Sequence, residues 1–483
     1  MTSLGAIVRA LDEAGLLVRA PETIPAITGL TADTRHLDPG ALYCAVRGTV
    51  VDGHRFVADA AARGAAAALV ESPQDAPLAQ IVVRDGRRAA AVAAEAWYER
   101  PADRLTLVGV TGTNGKTTTV TLGRHVLAAL EPFGSIGTLG AFDHAGATVP
   151  GEAGSLTTPG PVGLQATFAE LVRRGTRGVA MEVSSHSLHQ GRVEGLRFQA
   201  AIFTNITRDH LDYHATLEDY FLAKARLLEH LAPQGLEVVN ADDPAWKRLR
   251  HSARRRIHFG AHGGEVTARG VVLSAAGARF TLVTPTGDAA VRIPLLGEFN
   301  VANALGVAAC AWGLGLEVPV IAERLARAPQ VPGRMERLAA RPCTVLRDYA
   351  HTADAIERAL ETVRPLTRGR VVVVSGAGGD RDRGKRAPMG EAMGRLADLV
   401  ILAADNPRTE DPDRIFDDIA AGLGARPHER FHDRREGIAR ALAIAREGDT
   451  VLLLGKGHET YQIIGTEKFP FDERQIVREL GGE

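Results

Sequence analysis

Leu105-Thr-Leu-Val-Gly-Val-Thr111, running into Gly112-Thr-Asn-Gly-Lys-Thr117, decides how this sequence is read. The first part is a short apolar, β-branched run and predicts a strand; the Gly/Thr turn after it predicts a helix from Lys116. Glycines at 112 and 115 let backbone N–H groups wrap a phosphate, and the helix N-terminus adds partial positive charge. Thr111, Gly112, Thr113, Asn114 and Gly115 are therefore candidate nucleotide contacts. Lys116 is placed to reach the β- and γ-phosphates, and Thr117 to offer its hydroxyl to Mg2+. The strict phosphate-loop pattern asks for glycine where Val110 stands, so the motif by itself says nothing about what is phosphorylated.

On the C-terminal side of this loop, apolar runs at 178–181, 200–203 and 236–239 alternate with helical patterns, which argues for an α/β fold with a largely parallel sheet. After Pro332-Gly333 the runs at 371–374, 399–402 and 451–454 are continuous and apolar, as in strands buried on both faces. On the N-terminal side, the alanine-rich stretch from Phe56 to Val70 favours helix, and Glu99-Arg100-Pro101 reads as a linker. A chain of 483 residues is too long for one ordinary core. Three α/β domains are expected, over 1–100, 101–331 and 332–483.

Hydrophobic residues make up 45% and charged residues 24%, and the formal net charge is −1, so no global field directs the chain to nucleic acid or an anionic membrane. The three cysteines, Cys44, Cys310 and Cys343, are far apart, without metal-ligand spacing, and read as thiols of a reducing compartment. The N-terminus lacks a basic segment followed by an apolar run, and no apolar stretch reaches the roughly 18 residues of a membrane span. A soluble cytoplasmic protein is expected.

Four polar residues follow predicted strands or lie on a predicted helix: Glu182, His210, Asp212 and Lys224. A strand-end acid or imidazole near a phosphate loop suits Mg2+, directly or through water. Taken singly, each has a plainer reading as a cap or a solvated side chain. Together with the loop they match a pattern. Gly112-Thr-Asn-Gly-Lys-Thr117, Glu182-Val-Ser-Ser-His186 and Thr204-Asn-Ile-Thr-Arg-Asp-His-Leu-Asp-Tyr-His214 resemble, in order, the central-domain motifs of the Mur ligases. The resemblance implies a small uridine-binding domain, a central ATPase and a Rossmann-like C-terminal domain. It also implies that Glu182 and His210 help hold Mg2+. Lys224 matches the lysine that takes up CO2, so that a neutral amine becomes an anionic oxygen ligand.

The same resemblance covers nearly the whole chain. Thr31-Ala-Asp-Thr-Arg35 is similar to the uridine-binding segment, which assigns Thr34 to the nucleotide sugar. Leu156-Thr-Thr-Pro159 resembles the segment holding the muramoyl part, through Thr157 and Thr158, and Ser184, Gln190 and Arg192 match further contacts. Asn300-Val-Ala-Asn303, Gly333-Arg-Met-Glu336 and Asp348-Tyr-Ala-His351 resemble ATP-contacting pieces, which points to Asn303, Arg334 and Asp348. Three C-terminal segments resemble the diamino-acid-adding branch: Gly379-Asp-Arg381 onward, Asp405-Asn-Pro-Arg408 and Gly455-Lys-Gly-His-Glu459. They assign Arg381, Asp405, Asn406, Pro407, Arg408, Gly455 and Glu459 to the incoming amino acid. Gly376 and Gly378 also fit a dinucleotide fingerprint, but Arg381 holds its third glycine position and argues against NAD.

The expected activity is ATP-dependent amide-bond formation on UDP-N-acetylmuramoyl-L-alanyl-D-glutamate through an acyl phosphate, by a monomer, with Lys116, Lys224 and His210 as catalytic residues. The likeness of Asp405-Asn-Pro-Arg408 to the diaminopimelate-adding version of the motif implies that the incoming diamino acid is meso-diaminopimelate, with L-lysine and L-ornithine as open alternatives. The D-Ala-D-Ala-adding Mur ligase shares the first-domain pattern but not the paired C-terminal motifs. Folylpolyglutamate synthetases usually continue Gly-Lys-Gly-Ser where this chain has Gly-Lys-Thr-Thr. A non-catalytic UDP-sugar binder would not need Lys116 beside Glu182, His210 and Lys224.

Overall fold

The computed structural model describes residues 3–48, 51–154, 156–207, 209–210, 213–252 and 254–482. Among the described residues there are three large sheets, of five, eleven and six strands, and one of two strands. The chain divides into two compact units, one of 1–269, 281–290 and 302–325, the other of 270–280, 291–301 and 326–483.

The first unit holds the five-stranded sheet and most of the eleven-stranded one. Its N-terminal sheet has five strands in the order 17–19, 79–83, 67–70, 42–44, 30–31, parallel except for the first. Helices Leu4–Glu13 and Gly86–Trp97 cover it, and Leu4, Ile7, Leu11, Ala90 and Ala94 share its core with Leu42, Leu69 and Ile81. The helix expected over Phe56–Val70 is only half there. Val57–Ala62 is helical, but Arg63-Gly64 ends it with Gly64 at φ +88°, and Ala67–Val70 is a fully buried strand. Tertiary pairing on both sides overrides alanine's helix propensity, which is a weak prior. Beyond Trp97 the chain takes left-handed φ at Glu99 and Arg100 before a short turn of helix, Pro101–Arg104, consistent with an irregular connection.

At the centre of the second sheet lies the strand Thr106–Thr111, parallel to Gly178–Glu182 on one side and Phe198–Phe203 on the other. Outward from these follow Phe133–Gly137 next to 178–182, and Leu231–Asn240 next to 198–203. In open parallel sheets ligands gather beyond the carboxyl ends of strands whose neighbours lead off to both sides. The helix Lys116–Leu127 starts at that end, as the sequence predicts.

A six-stranded sheet forms the core of the second unit, in the order 336–339, 344–348, 450–454, 371–375, 399–403, 428–431, all parallel but the first. The runs 371–375 and 450–454 are buried along their whole length, because helices 353–363 and 386–396 pack on one face and 434–444 on the other. Cys44, Cys310 and Cys343 are buried free thiols. No helix among the described residues is long and apolar enough to cross a membrane.

Candidate active site

The phosphate loop is shaped by two glycines. Gly112 has φ +148°, and a Cβ there would lie 1.9 Å from Thr204 Oγ1; Gly115 has φ +84°, and its Cβ would lie 2.3 Å from Asn303 Oδ1. Both positions exclude a side chain by contact as well as by backbone conformation. Thr204 and Asn205, at the end of the neighbouring strand, clamp the loop. Thr204 Oγ1 donates to the Asn114 carbonyl at 2.7 Å, the Thr113 N–H donates to the Asn205 carbonyl at 2.7 Å, and the Asn114 N–H donates to Asn205 Oδ1 at 3.0 Å. Neither residue is marked as functional by the motif Thr204–His214 in which it stands. The pair's signal was the position directly after a buried strand.

Lys116 Nζ donates to the carbonyls of Gly112 and Thr113, at 2.9 and 2.7 Å. Lys224, 1% exposed, comes from the helix Leu217–Ala225 and donates to the same Gly112 carbonyl at 2.7 Å. Its amine lies 4.5 Å from the centre of the Tyr220 ring, whose hydroxyl meets Thr113 Oγ1 at 3.1 Å. Burial, and then the neighbouring Lys116 charge, pull the Lys224 amine well below the usual lysine range. Thr117 is buried in the first helical turn.

Glu182 ends the strand beside the loop and is 1% exposed. Its carboxylate accepts from the Thr138 N–H at 2.8 Å and from the Thr138 hydroxyl at 3.3 Å. His210 has φ +53° and sets its ring 4.8 Å from His186 and 6.2 Å from Tyr220, with Nε2 3.5 Å from Asp209. Asp212 lies outside the described residues. Among the described residues no three His, Cys, Asp or Glu side chains form a metal-holding group. The donor chemistry still suits Mg2+: the Thr117 hydroxyl, in the first turn of the helix that follows strand 106–111, and the Glu182 carboxylate, at the end of the parallel neighbouring strand, are hard oxygen donors, and Mg2+ keeps most of its shell for water and phosphate.

Ser184, Thr158, Gln190 and Arg192 form one connected set. Thr158 Oγ1 donates to the Glu182 carbonyl at 2.9 Å and accepts from the Ser184 N–H at 3.2 Å. Arg192 donates to the Thr158 carbonyl at 2.8 Å and to Gln190 Oε1 at 2.7 Å. Thr157 Oγ1 is 3.2 Å from Thr138 Oγ1, which ties this segment to the Glu182 carboxylate. Tyr213 adds a contact that the sequence did not flag: its hydroxyl meets His189 at 2.8 Å and Gln190 at 3.1 Å. Thr34 is buried in a short turn, Thr34–His36, capped by Asp33.

In the second unit the three C-terminal motifs meet. A Cβ on Gly378 would lie 3.0 Å from Arg408 Nη1 and 3.6 Å from Arg381 Cγ, and one on Gly455 would lie 2.4 Å from Asp405 Oδ2. Arg408, half-buried with φ +53°, donates to the Gly379 carbonyl at 2.9 Å. Asn406 donates to Glu459 at 2.9 Å, and Pro407 is buried behind them. The segment Gly376–Lys385 is a long loop between strand 371–375 and helix 386–396, unlike the tight turn of a dinucleotide fingerprint. Asp348 accepts from the backbone N–H groups of Met335 and Ala350, at 2.7 and 2.8 Å. Burial pushes its carboxyl above the usual range, against the charge of Arg334. Arg334 stacks 4.8 Å from the Tyr349 ring centre.

A glycine-walled loop at a helix N-terminus, beyond parallel strand ends and with two lysines at one carbonyl, defines a nucleotide-binding α/β protein of the phosphate-loop class. Comparison with known proteins narrows this. The Mur ligase family, catalytic domain model matches residues 26–101, the Mur ligase middle domain 110–311, and the Mur ligase, glutamate ligase domain 333–457. The UDP-N-acetylmuramoyl-L-alanyl-D-glutamate--2,6-diaminopimelate ligase of Geobacillus kaustophilus (strain HTA426) is 44% identical over 466 residues, 94% of each chain. The protein of the same name from Gloeobacter violaceus (strain ATCC 29082 / PCC 7421) is 44% identical over 463 residues, 94% of this chain and 93% of its own. A solved structure of a ligase of that name aligns over 99% of both chains, with a TM-score of 0.68 and 31% identity. The chain belongs to the Mur ligase family.

Proposed function

We propose that this protein is an ATP-dependent ligase that joins a diamino acid, meso-diaminopimelate, to the D-glutamate of UDP-N-acetylmuramoyl-L-alanyl-D-glutamate, in the making of peptidoglycan precursors. The observation that carries it is the meeting of Lys116 and Lys224 at the Gly112 carbonyl, inside a loop built for phosphates. We assign residues 1–100 to uridine recognition, with Thr34 on the nucleotide sugar, 101–331 to ATP, and 332–483 to the amino acid.

ATP is held by Thr111–Thr117, whose N–H groups and helix dipole face the phosphates, with Asn303 as a further contact. Thr157, Thr158, Ser184, Gln190 and Arg192 position the muramoyl dipeptide. Its D-glutamate carboxylate attacks the γ-phosphate, giving an acyl phosphate and ADP. A neutral amine of the diamino acid then displaces phosphate through a tetrahedral intermediate. Lys116 stabilises charge on the transferring oxygens, and the rest is orientation. Thr117, Glu182 and His210 would hold Mg2+, the last directly or through water. When bound, the ion neutralises phosphate charge. Lys224, whose proton affinity burial and the Lys116 charge lower, is suited to carry a CO2-derived carbamate whose oxygens would join that set.

Arg408 and Arg381 offer guanidinium groups to the carboxylates of the amino acid, and Glu459 offers a carboxylate to its distal ammonium. All the assigned ligands come from one chain, so a monomer suffices. Both nucleotide substrates place the enzyme in the cytoplasm. The experiment is phosphate release from ATP with UDP-N-acetylmuramoyl-L-alanyl-D-glutamate and a panel of meso-diaminopimelate, L-lysine and L-ornithine. Release that depends on the first of these is expected; no amino-acid-dependent release with any of them defeats the ligase reading.

A further inference from the structure

Lys456 follows the strand Thr450–Leu454 and stands between two left-handed glycines, Gly455 at φ +109° and Gly457 at φ +53°. Its side chain is 0% exposed. Nζ lies 3.2 Å from Asn406 Oδ1, 3.3 Å from Glu459 Oε2 and 3.5 Å from Asp405 Oδ1. The rings of Phe471 and Tyr461 close the other side, with centres 5.8 and 5.9 Å from the nitrogen. An ammonium has three N–H donors, and here each has an acceptor within the protein. This lysine therefore has no donor left for a phosphate or a substrate carboxylate. It acts on its neighbours.

What it does to them follows from the hydrogen bonds. Asn406 Oδ1 accepts from both Lys456 and the Ile463 N–H, the latter at 2.9 Å, so the amide is oriented with Nδ2 towards Glu459, to which it donates at 2.9 Å. Glu459 Oε2 thus receives two donors from behind, and among the described residues Oε1 accepts none. Lys456 also places one positive charge between the carboxylates of Asp405 and Glu459, which would otherwise present two negative charges to the ligand beside Arg408 and Arg381.

We propose that Lys456 is a positioning and specificity residue of the amino-acid site. It aims Glu459 and offsets the Asp405–Glu459 pair, so that a substrate end carrying both an ammonium and a carboxylate is preferred over one carrying an ammonium alone. This rests on the reading of the second unit as the diamino-acid site. A site made more negative repels the extra carboxylate of diaminopimelate and leaves lysine unpunished.

The test is steady-state ligation by the intact enzyme, reading kcat/KM for meso-diaminopimelate over kcat/KM for L-lysine. Lys456→Met removes the cation at similar length. The ratio is expected to fall at least about tenfold, through KM for the diamino acid, with KM for ATP and for the UDP substrate unchanged. Glu459→Gln removes one carboxylate instead. Both substrates then lose the same ammonium partner, which cancels in the ratio, and the ratio is expected to rise. A folded Lys456→Met with the wild-type ratio overturns the proposal. If that variant does not fold, an unchanged or lowered ratio in Glu459→Gln overturns it. A wild-type enzyme that releases phosphate with neither amino acid overturns the diamino-acid reading itself, a result distinct from both.

Discussion

Lys116 and Lys224 donate to one acceptor, the Gly112 carbonyl, at 2.9 and 2.7 Å, although they stand far apart in the chain. Two ammonium charges at one carbonyl oppose each other, and burial together with the Lys116 charge lowers the proton affinity of the more deeply buried amine, Lys224. The relationship divides the work. On the proposed reading, Lys116 brings positive charge to the phosphates and Lys224 brings the nitrogen that takes up CO2.

Lys116→Ala is expected to abolish ligation while binding of the UDP substrate survives. Losing a cation that stabilises transferring phosphoryl oxygens costs at least ~3 kcal/mol of activation, about a hundredfold in rate. Turnover by the purified variant near that of the wild type would remove the loop from the mechanism. Calorimetry with the UDP substrate checks the binding half.

Lys224 is expected to be carbamylated in the active enzyme. A carbon-13 NMR signal from enzyme equilibrated with labelled bicarbonate should appear, and it should be missing in Lys224→Ala. That variant loses most activity, and short carboxylic acids partly restore it by supplying oxygens. An unmodified amine in a liganded crystal grown with bicarbonate would count against the carbamate.

Gly115→Ala should damage the loop without touching a reacting group. Its φ of +84° strains any other residue, and the new methyl would meet Asn303 Oδ1 at 2.3 Å. Strain of this kind costs on the order of 1–3 kcal/mol. A lowered melting temperature together with weakened ADP binding is the expected pair of results; unchanged ADP affinity would show that the helix N-terminus is not the phosphate site.

Discrimination among diamino acids depends on how far Arg408 is desolvated. A fully buried guanidinium left without a counter-ion costs ~3–5 kcal/mol, and Arg408 is half-buried with a carbonyl partner already at Gly379. Selectivity for meso-diaminopimelate over L-lysine and L-ornithine is therefore expected at about two decades in kcat/KM. Arg408→Ala should remove most of it. L-lysine or L-ornithine equalling diaminopimelate in the wild type would sink the substrate assignment and leave the ligase reading standing.

His230 predicts an acid-sensitive element of stability. Burial first, then the charges of Arg197 and Arg226, push its imidazole down to about 4, and it is 4% exposed. The folded value lies below the unfolded one of about 6.5, so the unfolded chain binds the extra proton between them. This contribution is complete above about pH 6.5 and is lost as pH falls towards 4, by on the order of 2–3 kcal/mol. His230→Gln should flatten that part of the stability curve in urea titrations at pH 4.5 and 7.

What the sequence determined by itself is what depends on neighbours along the chain. The loop glycines, the helix start at Lys116, the apolar strands 371–375, 399–403 and 450–454 and the three-sheet α/β organisation were all legible, because spacing and hydrophobic periodicity are local properties. Even there, Ala67–Val70 read as helix until its pairing partners on both sides made it a strand. The tertiary structure alone decided which side chains meet. Nothing in the spacing of residues 405 and 456 says that a buried lysine will share its three donors among Asp405, Asn406 and Glu459, and nothing near Lys224 says that its amine will lie against the carbonyl of Gly112 and have its proton affinity lowered there. Desolvation and charge proximity act through space, across chain separations that sequence periodicity does not encode.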